Sequence, residues 1–163
     1  MKIDSSAWLA KGSIVLGDVT IGKDVGIWYN AVVRGDTASI VIGDGSNVQD
    51  NAVVHVDANH PTTIGAGVTI GHGAIVHGCT IGDNTVIGMG AIILNDAVVG
   101  KNCTIGAGAL VSGGTVIPDN SIAFGNPAKI RREMRPEEIE FNKHNAQVYV
   151  EHVYEHKAEE EDR

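Results

Sequence analysis

The sequence has few aromatic residues, few cysteines and no long apolar run. Aromatic residues make up only 4% of the 163 residues, so aliphatic side chains must fill the core. No run of 18 or more apolar residues occurs, and the N-terminus lacks the basic-then-apolar pattern of a signal peptide. We therefore expect no membrane-spanning segment and a cytoplasmic location. The two cysteines, Cys79 and Cys103, have neither disulfide-framework nor zinc-finger spacing, so we expect reduced thiols.

Positive charge is scarce, and two residue types are missing from whole stretches of the chain. The formal net charge of -8 argues against a nucleic-acid or anionic membrane partner, since either would need a basic face. Glutamate is absent before Glu133, and none of the 21 glycines lies after Gly125. This break in composition divides the chain into a main segment, residues 1–128, and a C-terminal segment, residues 129–163.

The C-terminal segment has the features of a helix packed on the main segment. Pro136 suits a first helical turn, and Glu137 and Glu138 suit its positive end. The apolar residues at roughly helical spacing are Ile139, Ala146, Tyr149, Val150 and Val153. We expect the charged stretch from Glu155 to Arg163 to be a frayed tail.

The main segment contains an internal repeat of six residues. A period of six fits neither an amphipathic helix nor an alternating strand, but it fits a short strand plus a tight corner, three to each turn of a triangular prism. The aliphatic residue of each repeat would point inward, and the glycine that often follows would relieve crowding or adopt a positive φ. The repeat positions are Val15, Ile21, Ile27, Val33, Ile42, Val48, Val54, Ile64, Ile70, Val76, Ile81, Ile87, Ile93, Val99, Ile105, Val111 and Ile117.

This pattern resembles the hexapeptide-repeat family, whose fold is a left-handed parallel β-helix. The resemblance implies a mainly β fold, with the β-helix over residues 1–128 and a C-terminal α-helix within 129–163. The left hand comes from the resemblance alone, because parallel crossover connections are usually right-handed.

Two insertions interrupt the repeat at corners of the prism. The spacing from Val33 to Ile42 is nine residues and that from Val54 to Ile64 is ten, whereas Val76 to Ile81 is one residue short of six. Long connections on a rigid scaffold are common places for functional residues.

Assigning each repeat to one of the three faces of the prism predicts that several polar residues lie close together. If face one begins at Val33, face two begins at Ile42 and face three at Val48. Arg34, His55 and His77 then form a ladder on face one of three successive coils, with rungs about 4.8 Å apart.

His72 falls on face three instead, one coil from Asp50. If three prisms pack around a threefold axis, face one of one chain meets face three of the next. His55 and His77 can then converge with His72 of the neighbouring chain.

Three neutral imidazoles with an open fourth position are the ligand set of a catalytic zinc site, and they also suit Fe²⁺ or Co²⁺. The pattern therefore predicts one metal ion at each subunit interface. The alternative is that these histidines are ordinary surface or interface side chains. We assign that role to His60, His144, His152 and His156, although His60 lies in an inserted corner.

Longer motifs resemble those of the γ-class carbonic anhydrases and their relatives. They are Val33–Asp36, Asn47–Asp50, His55, Gly71–His72 and Val76–Cys79. The resemblance covers nearly the whole chain and implies a homotrimer in which a metal-bound hydroxide converts CO₂ to bicarbonate. It also implies His55, His72 and His77 as metal ligands.

The same resemblance assigns four further catalytic residues. It implies that Gln49 orients the reacting water and that Asp50 supports a ligand or that water. Arg34 would pair with Asp36, or with an acidic group across the trimer interface.

The chain differs from the best-characterised branch of that family because it lacks the glutamates of that branch. That branch relays protons through a glutamate after the Arg-Gly-Asp motif and another in the inserted loop, but here Thr37 follows Asp36. The chain therefore resembles the shorter relatives, and the resemblance implies metal binding more directly than fast turnover. The candidate proton routes are Asp57, His60, Tyr149 and Tyr154.

Two other functions remain open from the sequence. Many hexapeptide-repeat proteins are CoA-dependent acyltransferases, and residues 125–128, Gly-Asn-Pro-Ala, resemble a segment near the end of their β-helix. A single histidine would then be a general base. The third possibility is a non-catalytic trimer stabilised by a metal with a closed ligand set.

Overall fold

The structure is a computed structural model that describes residues 1–161. It contains short strands wound into a prism, followed by one helix. The first strands are β1 Lys2–Ile3, β2 Trp8–Leu9, β3 Ile14–Ile21, β4 Gly26–Ile27, β5 Val32–Ile42, β6 Asn47–Val48, β7 Val53–His55, β8 Thr62–Ile64, β9 Thr69–Ile70 and β10 Ile75–His77. They continue as β11 Thr80–Ile81, β12 Val86–Ile87, β13 Ile92–Ile93, β14 Val98–Val99, β15 Thr104–Ile105, β16 Leu110–Val111, β17 Val116–Ile117, β18 Ser121–Gly125 and β19 Ala128–Glu133. The helix α1 is Pro136–Glu161.

The strands form the three predicted faces of a left-handed parallel β-helix. Face one contains β7, β10, β13 and β16, and face two contains β8, β11, β14 and β17. The long strands β3 and β5 turn the corner between these two faces and join them into one sheet. Face three is a separate sheet that runs from β2 to β18, with β19 added antiparallel at its end.

Two columns of side chains fill the prism. All the aliphatic repeat positions except the half-buried Val15 are buried as predicted, for example Ile27, Ile70 and Ile105 at 0% exposure. A second column, two residues before the repeat positions, is also mostly buried and holds mainly small side chains, although it includes Ile40. The sequence pattern did not predict this column. Both cysteines belong to this column, and burial raises the pKa of the Cys79 thiol to about 12. Cys79 is therefore a packing residue.

Crowding explains the glycines that follow the repeat positions. A Cβ on Gly82 would lie 2.6 Å from the backbone of Gly100 in the next coil, and one on Gly43 would lie 2.6 Å from Gly65. Neither has a positive φ, so of the two predicted reasons only crowding applies here. The positive φ angles instead occur three residues before the repeat positions, at residues such as Asn84 and Gly108.

The two insertions have different structures. The first lies inside the continuous strand β5, where the register with β3 shifts between Gly17/Gly35 and Val19/Ile40, leaving three extra residues. The second forms a tight turn in which Asp57 and His60 pair as an isolated bridge. Both lie at the corner between faces one and two, beside the histidine ladder.

Helix α1 packs along face three, against β4, β6 and β9. Ala146 and Val153 are buried there, and the polar Asn142 is also buried because its amide donates to the backbone oxygen of Cys103 at 3.1 Å. The helix begins at Pro136 as predicted.

The tail of the helix differs from the sequence prediction. Instead of fraying at Glu155, the helix continues to Glu161, because its last turns contact the N-terminal coil. Trp8 Nε1 donates to Glu160 Oε2 at 3.1 Å. The last two residues of the predicted tail, 162 and 163, lie outside the described part of the chain. Across residues 1–161, no helix is long and apolar enough to cross a membrane.

Candidate metal centre

The predicted ladder is present on face one. Arg34 pairs in register with His55, and His55 pairs in register with His77, through strands β5, β7 and β10. The two imidazole rings lie edge to face, with centroids 5.0 Å apart. Strand alternation turns these side chains outward, because Val33, Val54 and Val76 beside them are all fully buried in the prism.

One nitrogen of each imidazole faces the other ring. His55 Nδ1 and His77 Nε2 are 3.1 Å apart. The remaining nitrogen of each ring has a separate partner. His55 Nε2 lies 3.0 Å from Asp36 Oδ1, and His77 Nδ1 lies 2.6 Å from Asn95 Oδ1.

These partners decide which nitrogens carry hydrogen. A carboxylate only accepts hydrogen bonds, so the proton of His55 lies on Nε2 and its Nδ1 presents a lone pair. The Asn95 oxygen likewise accepts from His77 Nδ1, which leaves a lone pair on His77 Nε2. The two facing nitrogens are then both acceptors, an arrangement that a cation between them would stabilise.

The spacing of the pair also suits a metal. With zinc–nitrogen bonds of about 2.0–2.1 Å and a tetrahedral angle, two ligand nitrogens are about 3.3–3.4 Å apart. The 3.1 Å separation in this structure is close to that value. The pair therefore fits two corners of a tetrahedral site for Zn²⁺, or for Fe²⁺ or Co²⁺.

Asp36 connects the histidine pair to Arg34. The carboxylate accepts from His55 and also contacts the Arg34 guanidinium. These two hydrogen bonds, the one from His55 being the stronger influence, hold the pKa of Asp36 below its usual value. Arg34 remains partly exposed, with 43% of its side-chain surface accessible.

Asn95 is a site residue that the sequence analysis missed. It lies beside Gly78, where a Cβ would come within 2.3 Å of Asn95 Oδ1, so the glycine leaves the space through which Asn95 reaches His77. Asn95 Nδ2 also donates to Asp57 Oδ2 at 2.8 Å, and this bond is the main reason that the pKa of Asp57 is lowered. The face register could have found Asn95, because it stands one coil beyond Gly78.

His72 lies on face three, two residues after the end of strand β9. Its Nδ1 is 2.9 Å from Asp50 Oδ2, as the predicted stacking of these residues requires. Asp50 therefore holds the Nδ1–H tautomer and leaves the His72 Nε2 lone pair free.

Gln49 lies beside His72 and is only 5% exposed. Its Nε2 donates to Asn47 Oδ1 at 3.1 Å, and Asn47 in turn donates to Thr69 Oγ1 at 3.1 Å. Helix α1 adds a further contact, since Asn145 Nδ2 donates to the same Thr69 oxygen at 3.2 Å. The Gln49 amide is therefore fixed from its nitrogen side, and its oxygen remains an acceptor.

Gln49 and His72 line a groove of about 640 Å³ between face three and helix α1. Tyr149 borders the same groove, and burial, together with the charge of Asp50, raises the pKa of its hydroxyl. Beyond these polar groups the lining is mostly apolar, and it includes the exposed side chains of Met89 and Phe141.

A single chain does not bring the three predicted ligands together. His55 and His77 face each other, but His72 lies on a different sheet. Within residues 1–161 of one chain, no group of three or more His, Cys, Asp or Glu side chains is arranged to hold a metal ion.

The other titratable candidates have local partners. His60 Nδ1 lies 2.8 Å from Asp96 Oδ1, and His156 Nδ1 lies 2.8 Å from the Tyr29 hydroxyl. Tyr154 donates to Asp24 at 2.6 Å, at the N-terminal coil. Of the predicted proton routes, Asp57 is therefore connected to the histidine pair through Asn95, and Tyr149 borders the groove.

Comparisons with known proteins agree with this fold. The family described as bacterial transferase hexapeptide (six repeats) matches residues 61–95 and 78–113. A protein of Methanocaldococcus jannaschii named probable carbonic anhydrase is 53% identical over 148 residues, which cover 91% of this chain and 93% of the relative. Gamma carbonic anhydrase 1, mitochondrial, of Arabidopsis thaliana is 45% identical over 96% of this chain and 59% of the relative.

A solved structure is also similar over most of its length. The crystal structure of a hexapeptide transferase family protein from Anaplasma phagocytophilum has a TM-score of 0.90 and 40% sequence identity, and the match covers 94% of this chain and 90% of that one. From the hexapeptide repeats and these similarities, which cover more than 90% of this chain, the chain belongs to the γ-class carbonic anhydrase-like family of hexapeptide-repeat proteins.

Proposed function

We propose that the chain is a cytoplasmic, metal-dependent carbonic anhydrase that interconverts CO₂ and bicarbonate at the interfaces of a homotrimer. The observation that carries the proposal is the His55–His77 pair, whose facing nitrogens are both left as acceptors 3.1 Å apart. The names of the relatives favour CO₂ as the substrate.

The proposed ligands are His55 and His77 of one chain and His72 of a neighbouring chain. A divalent cation held by neutral imidazoles would lower the pKa of a coordinated water towards about 7 and so supply hydroxide at neutral pH. Asp36, Asn95 and Asp50 each hold the far nitrogen of one of these imidazoles. Such partners orient metal-binding histidines and are important for affinity.

Gln49 would orient the reacting water. Its nitrogen donates to Asn47, so its oxygen is available to accept a hydrogen bond from the water and so direct a lone pair of the water oxygen towards the carbon of CO₂. Arg34 and Asp36 would form an ion pair at the subunit interface, with Asp36 also supporting His55.

An apolar stripe on face one supports the homotrimer. Outward aliphatic side chains occupy the position before the repeat residue in six successive coils. This stripe runs beside the histidine ladder. Ile14 is 50% exposed and Ile75 is 37% exposed. The stripe consists of Ile14, Val32, Val53, Ile75, Ile92 and Leu110. A continuous apolar surface of this kind favours contact with another protein surface.

The matching column on face two is mixed in character. It consists of Thr20, Val41, Thr63, Thr80, Val98 and Val116. Face one is therefore the more apolar of the two, which favours it as the face that meets face three and His72 of a neighbour.

The decisive experiment is the rate of CO₂ hydration by protein purified without air and reloaded with Zn²⁺ or Fe²⁺. We expect a rate above background that disappears in His72→Ala and persists in His144→Ala, a histidine on the exposed side of helix α1. One metal per chain with no hydration would contradict the proposal and favour the non-catalytic metal trimer. Acetyl transfer from acetyl-CoA, with release of CoA and no dependence on metal, would favour the acyltransferase.

A further inference from the structure

Asp57 is a carboxylate near the histidine pair that has so far been considered only as a candidate proton route. It lies in the inserted corner after β7, in a turn closed by a hydrogen bond from His60 N to Asp57 O at 3.0 Å. Asn59 in the same turn has φ 67°, a left-handed conformation that asparagine tolerates well. The backbone geometry therefore fixes where the Asp57 side chain begins.

The Asp57 side chain contacts the amide of Asn95. Asn95 Nδ2 donates to Asp57 Oδ2 at 2.8 Å, and Asn95 Oδ1 lies 2.6 Å from His77 Nδ1. An amide can be turned end for end, so Asn95 alone would not decide whether His77 donates or accepts.

Asp57 removes this ambiguity because an ionised carboxylate can only accept. The Asn95 nitrogen must point to Asp57, and the Asn95 oxygen must then point to His77. His77 Nδ1 consequently carries the proton, and the lone pair lies on Nε2, the atom that faces His55. The opposite orientation would place the amide oxygen against the carboxylate.

The space for this arrangement depends on Gly78. A Cβ at this position would lie 2.3 Å from Asn95 Oδ1 and 3.1 Å from the Cβ of His60. Asn95 can therefore reach His77 only beside a residue without a side chain.

We infer that Asp57 is a positioning residue that acts through Asn95 to hold His77 in the tautomer that binds metal. This inference rests on the metal centre proposed above. In this arrangement the inserted corner influences the metal centre through Asn95, without direct contact between Asp57 and His77.

The first test measures zinc affinity by competition with a coloured chelator, using the full chain. Asp57→Asn removes the carboxylate, and Asn95→Leu removes the connection without changing charge. We expect each variant to bind zinc about tenfold more weakly, within the range known for partners of ligand histidines. Asp96→Asn, the matched control, makes the same charge change one residue from Asn95 but disturbs only the contact with His60. It should bind zinc as the wild type does.

The double variant separates a relay from two independent effects. If Asp57 acts through Asn95, the Asp57→Asn/Asn95→Leu variant should bind zinc no more weakly than Asn95→Leu alone. If the losses of zinc affinity in the two single variants multiply in the double variant, the inference would be overturned. It would also be overturned, in favour of a general electrostatic effect, if Asp96→Asn weakened zinc binding as much as Asp57→Asn. Unchanged affinity in Asp57→Asn would overturn it as well.

A second readout tests the relay without metal. Two-bond ¹H–¹⁵N spectra of metal-free protein distinguish the two imidazole tautomers, and His77→Ala assigns the signal. We expect the Nδ1–H form of His77 in the wild type and its loss in both single variants. A wild type with this tautomer but no zinc binding would contradict the proposed metal centre, whereas a wild type with the Nε2–H form would contradict the relay.

Discussion

The ligand pair on face one shows how neutral histidines can be prepared for a cation by the groups behind them. His55 is held by a carboxylate, whereas His77 is held by an amide that is itself held by a carboxylate. In each imidazole, the nitrogen that faces the other ring carries no hydrogen, although the two rings are supported by different chemical groups. The third predicted ligand, His72, is held by Asp50 in the same way.

Mixing two defective chains would test whether each site is shared. His72→Ala chains keep the histidine pair, and His55→Ala chains keep His72. We expect neither variant to bind zinc alone, because each leaves every interface short of one ligand. Trimers assembled from both chains should recover a single intact site, measured as bound zinc after co-refolding or co-expression.

The control is a mixture of His72→Ala chains with His72→Ala/His144→Ala chains, which should stay free of zinc. Zinc binding by His72→Ala alone would contradict a shared site. Mixed trimers that bind no zinc would contradict the predicted pairing of faces.

At the scale of elements, the start of helix α1 is fixed by one glutamate. Glu138 accepts from both terminal nitrogens of Arg132, at 2.8 and 2.7 Å, and from the backbone nitrogen of Arg135 at 2.8 Å. The last contact satisfies a backbone donor just before the helix, as in a capping box. Glu138 thereby ties strand β19 to the first turn of the helix that borders the groove.

The pH dependence of this contact follows from its pKa. The Arg132 hydrogen bond, and then that of Arg135, lower the pKa of Glu138 from 4.5 to about 2. A lowered folded-state pKa contributes stability above pH 4.5, and that contribution is lost as pH falls through about 2. We expect Glu138→Gln to lower the thermal midpoint at pH 7, with the difference from wild type narrowing steadily below pH 4.5.

Glu140→Gln is the control for that experiment, because the one side-chain contact described for Glu140 is with the exposed Lys143, three positions further along the helix. It should change the midpoint little at either pH. A Glu138→Gln deficit that stays constant down to pH 2 would contradict the assigned cause.

The coil-to-coil contacts make a separate prediction about glycine. Gly82→Ala should lower the free energy of unfolding by about 1–3 kcal/mol, the usual cost of overpacking, since its Cβ would lie 2.6 Å from Gly100. Chemical denaturation measures the change. Gly113→Ala is the control, because its Cβ would meet only Asn95 O at 3.1 Å. Equal stability of the two variants would contradict the crowding explanation.

Much of the β-helix could be predicted from the sequence, because the six-residue period identifies the aliphatic residues that point into the prism. The histidine ladder followed from the same count, as did the stacking of His72 on Asp50. Asn95 did not, because its role depends on a side chain reaching across coils into the space beside Gly78. The end of helix α1 was also missed, since contacts with Trp8 and Ser6 stabilise a segment that looks purely charged in sequence.

At the scale of the molecule, the three faces have different outer surfaces. Face three is partly covered by helix α1, face two carries threonine and valine, and face one carries the aliphatic stripe beside the histidines. A homotrimer with face one against face three would cover the most apolar of these surfaces.

Ile75 and Val98 allow a matched test of that assembly. They occupy the same repeat position on faces one and two, and they are 37% and 40% exposed. We expect Ile75→Lys to sediment as a monomer of 17.1 kDa and to lose zinc, because a buried lysine at the interface would lack a partner. Val98→Lys should remain a trimer. A trimer for Ile75→Lys, or a monomer for Val98→Lys, would contradict the assignment of face one to the interface.

The aliphatic stripe has a further consequence for how subunits find their alignment. Because the stripe repeats in every coil, two prisms could slide past each other by one coil, about 4.8 Å, and still bury similar apolar area. The histidines occupy only two adjacent coils of face one, so a slide of this size would separate them from His72 of the neighbour. In the proposed trimer, hydrophobic contact holds the subunits together. The cation then determines their relative position along the β-helix axis, because the three ligands meet at only one such position.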